Sequence, residues 1–167
     1  MDGAIVELTP ELIAAAHALN QQFTTELSST TPEEFEKLVG VAVYARCIGR
    51  ADRLDGFLMA FDQATPGNGE NLDWFRSRYP HILYIDRVAV AAHARRRGLA
   101  RTLYSDIIAW AAHRRYPLIG CEVNVRPPNA ASHAFHVRLG FIGITERELP
   151  NGKRVRYLVR ELAGAGT

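Results

Sequence analysis

The stretch from Ile82 to Arg101 constrains this chain more than any other. Ile82–Val90 is a strongly apolar run rich in β-branched residues, and it reads as a buried strand. It passes through Ala91–Arg97 to Gly98, after which Leu99, Leu103, Ile107 and Trp110 recur at helical spacing. The first amides of a helix have no acceptor within it and lie at the positive end of its dipole, which favours an anion such as a phosphate. Gly98 lets the backbone approach a ligand closely, and Arg95, Arg96, Arg97 and Arg101 add charge around it. No Gly-Lys-Ser/Thr follows and the corner has a single glycine, so neither a Walker-type loop nor a dinucleotide fingerprint is present.

Charge is skewed toward this corner. The chain of 167 residues has a net charge of +2. Residues 1–85 sum to −6, residues 86–115 to +5 and residues 116–167 to +3. A basic block inside a near-neutral chain suggests one local anionic partner rather than a surface built for nucleic acid. The arginines also lack the clustered aromatics of a nucleic-acid surface, so no nucleic-acid partner is expected.

Around the corner the chain alternates strands and helices. Ala4–Leu8 reads as a strand ending at a helix start, Thr9-Pro10, with Leu12, Ala16, Leu19, Phe23 and Leu27 at helical spacing. Thr31-Pro32-Glu33-Glu34 is a capping box opening a second, short helix. Val41–Ile48 and Phe57–Phe61 read as a hairpin joined by the turn Gly49–Gly56, and Asp62–Pro80 as a long irregular loop. Leu118–Val125 is a strand, Asn129 opens a helix to about Leu139, and Gly140 ends it. Phe141–Leu149 and Arg154–Leu162 are strands around the hairpin signal Asn151-Gly152. Hairpins mixed with crossovers imply one mixed sheet covered by helices, and the length suits one domain over residues 1–167.

The segment Arg95-Arg96-Arg97-Gly98-Leu99-Ala100 resembles the acyl-CoA-binding motif of the GNAT superfamily of N-acetyltransferases, written Gln/Arg-x-x-Gly-x-Gly/Ala. The resemblance continues at Asn129, His136 and Leu139-Gly140-Phe141, which looks like the family's second signature. The two motifs, the strand between them and the terminal hairpin span roughly residues 82–160. The resemblance implies an α/β fold of the α+β type, with a mixed, mostly antiparallel sheet of six to seven strands and about four helices. It further implies that acetyl-CoA lies in a V-shaped opening between strands 82–90 and 118–125. Backbone groups of Val88 and Val90 would pair with the pantetheine arm, and the amides from Arg95 through Gly98, Leu99 and Ala100 to Arg101 would hold the pyrophosphate. Asn129 would bond the arm from the other side. The expected reaction is direct attack of a primary amine on the thioester; the alternative is a non-catalytic acyl-CoA sensor.

Such an attack needs a group to deprotonate the amine and a donor for the departing thiolate. Glu122, the one acid in Leu118–Val125, is the candidate base, with Asp86 and Tyr84 next. The second motif carries His136 where the family usually has a tyrosine, so His136 is the candidate acid. His133 lies one turn earlier without a third ligand nearby, and no metal is expected. The acceptor site is expected from the first two helices and the Asp62–Tyr79 loop, with Trp74, Phe75 and Tyr79 as its wall. The acidic first half suits a cationic amine.

Cys47 and Cys121 sit in apolar runs without metal-type spacing and read as reduced, buried thiols. The start Met1-Asp2-Gly3 lacks the pattern of a leader, and no apolar run approaches the roughly 20 residues of a membrane span. A cytoplasmic setting without a membrane partner is expected, and a homodimer is left open.

Overall fold

The computed structural model describes residues 3–67 and 69–163. Met1 and Asp2, on which the reading of the chain start depends, lie outside them.

The described residues form one seven-stranded sheet and five α-helices. In chain order they are β1 (Ile5–Glu7), α1 (Pro10–Gln21), α2 (Pro32–Val41), β2 (Tyr44–Arg50), β3 (Arg53–Asp62), α3 (Gly69–Arg78), β4 (Leu83–Val90), α4 (Leu99–His113), β5 (Leu118–Arg126), α5 (Ala130–Arg138), β6 (Ile142–Glu148) and β7 (Arg154–Glu161). The strand order is β1-β2-β3-β4-β5-β7-β6, with every pair antiparallel except β4–β5.

That parallel pair positions everything else. β4 and β5 are in register only at Leu83–Ile119 and Tyr84–Gly120. Beyond those residues β4 stays paired to β3 up to Val90, and β5 stays paired to β7 up to Arg126. The two halves of the sheet therefore part from Ile85 onward. A bulge accompanies the split: Ile85 faces Ala60 and Arg87 faces Met59, leaving Asp86 as the extra residue on β4. A bulge of this kind bends its strand and increases local twist, turning β4 away from its parallel neighbour.

The hairpin, the capping box and the helix after Gly98 are where the sequence places them. Thr31 accepts from the Glu34 amide while the Glu34 carboxylate accepts from the Thr31 amide. Asn129 caps α5 through its side-chain oxygen, and Gly152 turns the β6–β7 hairpin at φ 83°.

Several boundaries differ. α1 ends at Gln21, although the apolar spacing runs on to Phe23 and Leu27. Here side chains compete with the helix: Asn20 Nδ2 donates to the Ser28 carbonyl, and Gln21 Oε1 accepts from the Thr30 amide. The β2–β3 strands extend inward, so the turn shrinks to Ala51 and Asp52. The expected loop Asp62–Pro80 contains α3, which raises the helix count from about four to five. Its apolar signal rests on Leu72 and Phe75, both fully buried, in a segment that is otherwise polar apart from Trp74 and that starts at Gly69, after Pro66 and Gly67.

α3 packs through Phe75, whose ring contacts Tyr84 at 5.5 Å and Tyr157 at 5.2 Å between centroids. Gly120 lies beneath it, and a Cβ at that position would come within 2.6 Å of the ring. Gly120→Ala is expected to destabilise the protein by about 1–3 kcal/mol through overpacking, measured as a lower urea midpoint. An unchanged midpoint would show that α3 shifts freely on the sheet.

Candidate active site

Where β4 and β5 part, a cavity of about 260 Å³ opens between them. Val88, Val90 and Arg95 line one side, and Glu122, Asn129 and His136 the other. Six of the residues singled out in the sequence are thus gathered at one opening. The remaining corner residues, Arg96, Arg97, Gly98, Leu99, Ala100 and Arg101, continue from Arg95 along the β4–α4 turn and do not line this cavity.

The turn has a defined local shape. A short 3-10 turn (Ala92–Ala94) follows β4, Arg96 and Gly98 take left-handed conformations at φ 63° and 74°, and α4 begins at Leu99. Nothing lies within 4 Å of where a Gly98 Cβ would stand. The first helical bond runs from the Thr102 amide to the Gly98 carbonyl, so the amides of Leu99, Ala100 and Arg101 have no acceptor within the helix. The Leu99 side chain is buried in the core, leaving only its backbone for a ligand. Asp55 of β3 ties the turn down: its carbonyl accepts from the Ala91 amide, and its carboxylate meets His93 at 2.8 Å and Arg97 at 3.4 Å. Arg95 lies over the Phe23 ring, 5.4 Å from its centroid.

Alternation along β5 places Gly120 and Glu122 on the α3 face and Cys121 and Val123 on the other. Glu122 Oε2 accepts from the Tyr84 hydroxyl at 2.7 Å. Burial is the largest influence on this carboxyl and pushes it up to about 8; the Tyr84 bond opposes that rise, the Asp86 charge adds to it, and a bond from Asn71 opposes it again. Asn71, at the start of α3, has its side-chain oxygen held by the Tyr157 hydroxyl at 2.7 Å. Burial pushes the Cys121 thiol well above its ordinary range, so it is not a ready thiolate nucleophile.

His136 is almost fully buried. Its Nδ1 lies 2.7 Å from the Ser132 carbonyl, which can only accept, so Nδ1 carries the proton. Nε2 then accepts from the Tyr104 hydroxyl at 2.6 Å. Burial lowers the pKa of His136, favouring this neutral form. Both ring nitrogens are engaged within the protein, and Tyr104 lines the cavity alongside His136. Tyr104 escapes sequence reading because it sits inside an apolar helical stripe, next to Leu103. Asn71 carries no sequence signal at all.

A second cavity of about 490 Å³ adjoins the first, and Glu122 lines both. Its wall comes from the α1–α2 connection, α2, the β6–β7 hairpin and the start of α3, where Glu70 and Asn71 face it. Trp74, Phe75 and Tyr79, expected there, are elsewhere: Trp74 stacks on Tyr157 at 4.3 Å and Phe75 is buried over Gly120. These rings follow the inward face of α3 onto the sheet. Carboxylates of Glu26, Glu34, Glu70, Asp86 and Glu122 outnumber the cations Lys37, Arg87 and Lys153. Among the described residues, no helix is long and apolar enough to cross a membrane.

The raised Glu122 carboxyl has a consequence for stability. Its ordinary value is 4.5, so between there and about 8 the folded state holds a proton that the unfolded state has released. Stability is therefore full below 4.5 and is lost as pH rises to about 8. The melting temperature of Glu122→Gln relative to the parent is expected to climb across that interval and level off above it. A difference independent of pH would contradict the burial argument.

No curated protein matches the chain by sequence. Solved structures share its fold: a ribosomal-protein-alanine N-acetyltransferase from Brucella melitensis superposes with TM-score 0.71 at 19% identity, covering 95% of this chain and 99% of that one. Ard1 from Thermoplasma volcanium gives 0.77 at 16% identity, covering 97% and 99%. The yncA protein of Salmonella typhimurium, solved with its cofactor acetyl-CoA, gives 0.71 at 16%, covering 97% and 95%. The family model described as Acetyltransferase (GNAT) family matches residues 13–141, most of the chain and both motifs as far as Phe141. With the split sheet and the basic strand-to-helix corner in place, this chain belongs to the GNAT acetyltransferase family.

Proposed function

We propose that the protein is an N-acetyltransferase that uses acetyl-CoA to acetylate a primary amine, either a small molecule, an amino acid or a peptide terminus. One observation carries the reading: Glu122 stands on the wall shared by two adjoining cavities, one of which leads to the basic corner. A donor and an acceptor entering from opposite sides would meet at that carboxyl.

The residues of the first cavity fit acetyl-CoA. The edge of β4 that faces β5 has no strand partner beyond Tyr84, which leaves Val88 and Val90 backbone groups for an extended arm. The amides from Arg95 to Arg101, with open space at Gly98, suit the pyrophosphate, and Arg95–Arg97 add charge. Asn129 faces the cavity from the β5 side. Bound acetyl-CoA supplies an acyl group as a thioester, whose carbonyl carbon is open to an amine. A main-chain amide near Val88 would donate to the carbonyl oxygen as charge develops on it.

The acceptor amine enters as a cation, which the carboxylate-rich second cavity favours. Glu122 in its ionised form takes the proton that the amine must lose. On the opposite wall the Tyr104 hydroxyl spends its one proton on His136 Nε2 and has none to give the departing sulfur. Burial holds Tyr104 well above its ordinary value, so it keeps its own proton and the thiolate is protonated by solvent. His136 does not donate to the sulfur either, because its Nδ1 proton is committed to Ser132 and its Nε2 accepts from Tyr104.

Two measurements test this. With acetyl-CoA and a panel of primary amines, kcat/KM is expected to rise with pH through about 8, the value to which burial pushes Glu122. Glu122→Gln should lose that limb and at least about a hundredfold in kcat, the usual weight of a general base. A limb that survives the substitution would remove Glu122 from the role. Gly98→Glu should weaken coenzyme A binding by tenfold or more, since a carboxylate would face the diphosphate across a left-handed turn, roughly 1.4 kcal/mol per decade. Unchanged affinity in calorimetry would refute the placement of the phosphates.

A further inference from the structure

The connection between α1 and α2, residues 22–31, forms neither helix nor strand, yet it borders both cavities. Glu26 and Leu27 line the two together, Phe23 only the first, and Ser28 and Thr30 only the second. A segment outside regular structure has few backbone bonds of its own, so the side chains that hold it decide the shape of the wall.

Its tip and its base are held from opposite sides of the β4–β5 split. At the tip, the Thr25 carbonyl accepts from Lys153 Nζ of the β6–β7 hairpin at 2.8 Å and from Asn124 Nδ2 of β5 at 3.4 Å. Both contacts are exposed. The base has a buried anchor instead. Arg87 of β4, only 7% exposed, donates from Nη1 to Asn20 Oδ1 at 3.0 Å and from Nη2 to Ser28 Oγ at 3.2 Å. The Ser28 carbonyl lies 3.5 Å from the same Nη1. Asn20, fully buried in the last turn of α1, repeats the grip, its Nδ2 donating to that carbonyl at 3.1 Å. Arg87 Nε meets Asp86 at 2.6 Å, so the cation is paired where it is buried. All three guanidinium nitrogens are thus engaged within the protein, a planar fork that a lysine ammonium does not reproduce.

We propose that Arg87 is a positioning residue for the acceptor wall: by gripping Asn20 and Ser28 from β4, it fixes the stretch from Glu26 to Thr30 against which the amine docks beside Glu122. This rests on the reading of the second cavity as the acceptor site. The donor side has separate supports. Phe23 is held by its own amide, which donates to the Asn20 carbonyl at 3.0 Å, and by Arg95 over its ring. The groups assigned to the pantetheine arm and the diphosphate belong to β4, the β4–α4 turn and α5, outside the connection. Loosening the Arg87 fork therefore acts on the amine more than on acetyl-CoA.

The test compares the full-length parent with Arg87→Lys, which keeps a charge beside Asp86 but not the fork, and with Ser28→Ala, which removes one accepted bond. Ser28 is exposed, so Ser28→Ala keeps the test open if Arg87→Lys does not fold. In Arg87→Lys the KM for the amine is expected to rise about tenfold, with kcat and the KM for acetyl-CoA within about twofold of the parent. Ser28→Ala should raise the amine KM by less, roughly two- to threefold. Amide hydrogen exchange followed by NMR gives a readout without substrate. The amides of Glu26 and Leu27 are bonded to the Phe23 carbonyl and that of Thr30 to Gln21 Oε1. These three are expected to exchange about tenfold faster in Arg87→Lys while amides of β3 and α4 keep the parent rates. An amine KM that stays at the parent value in both variants overturns the proposal. Exchange that quickens equally throughout the sheet also overturns it, being the mark of a general loss of stability. Should the parent acetylate no amine while exchange quickens only in the connection, the enzymatic reading fails and the anchoring by Arg87 stands.

Discussion

The structure depends on a single incomplete strand pair. β4 and β5 are parallel neighbours for only two register positions, and the bulge at Asp86 turns β4 away before a third can form. A parallel pair left open exposes backbone donors and acceptors that would otherwise be satisfied within the sheet. On the β4 side those groups border the cavity, and on the β5 side Glu122 and Asn124 look into it. The rest of the molecule holds this gap open: β3 keeps β4 paired to Val90, β7 keeps β5 paired to Arg126, and helices cover both faces.

Burial and hydrogen bonding then divide the titratable groups of the opening into separate roles. Glu122 is raised to about 8 by burial, yet the hydrogen bonds it accepts, that from Tyr84 foremost, keep its ionised form within reach of neutral pH. His136 is held neutral, Tyr104 keeps its hydroxyl proton, and Cys121 keeps its thiol proton. Of these four, Glu122 alone also lines the second cavity, which is why geometry favours it as the group that meets an incoming amine.

Legibility in the sequence tracked how local the cause was. The strand-to-helix corner was readable because its features are consecutive: an apolar strand, the arginines, Gly98 and a helical stripe. Glu122, Asn129 and His136 were readable as a set because a resemblance fixed their order along the chain. α3 was not, since two buried residues in a stretch that is otherwise polar apart from Trp74 give no clear period. Tyr104 was hidden for the opposite reason, being one more large residue in an apolar stripe. The aromatic wall expected from Trp74, Phe75 and Tyr79 failed because composition cannot tell which way a helix faces.

The sequence by itself determined the order of elements other than α3, the anion-favouring corner and the presence of a carboxyl at the middle of β5. These follow from period, turn residues and capping groups within a few positions of one another. Tertiary structure alone decided that β4 and β5 diverge after Tyr84, that Tyr104 of α4 reaches His136 Nε2, and that Tyr84 of β4 reaches the Glu122 carboxyl. Each of those contacts joins residues remote in sequence. Their existence depends on how helices settle on a twisted sheet, a packing outcome that no local pattern encodes.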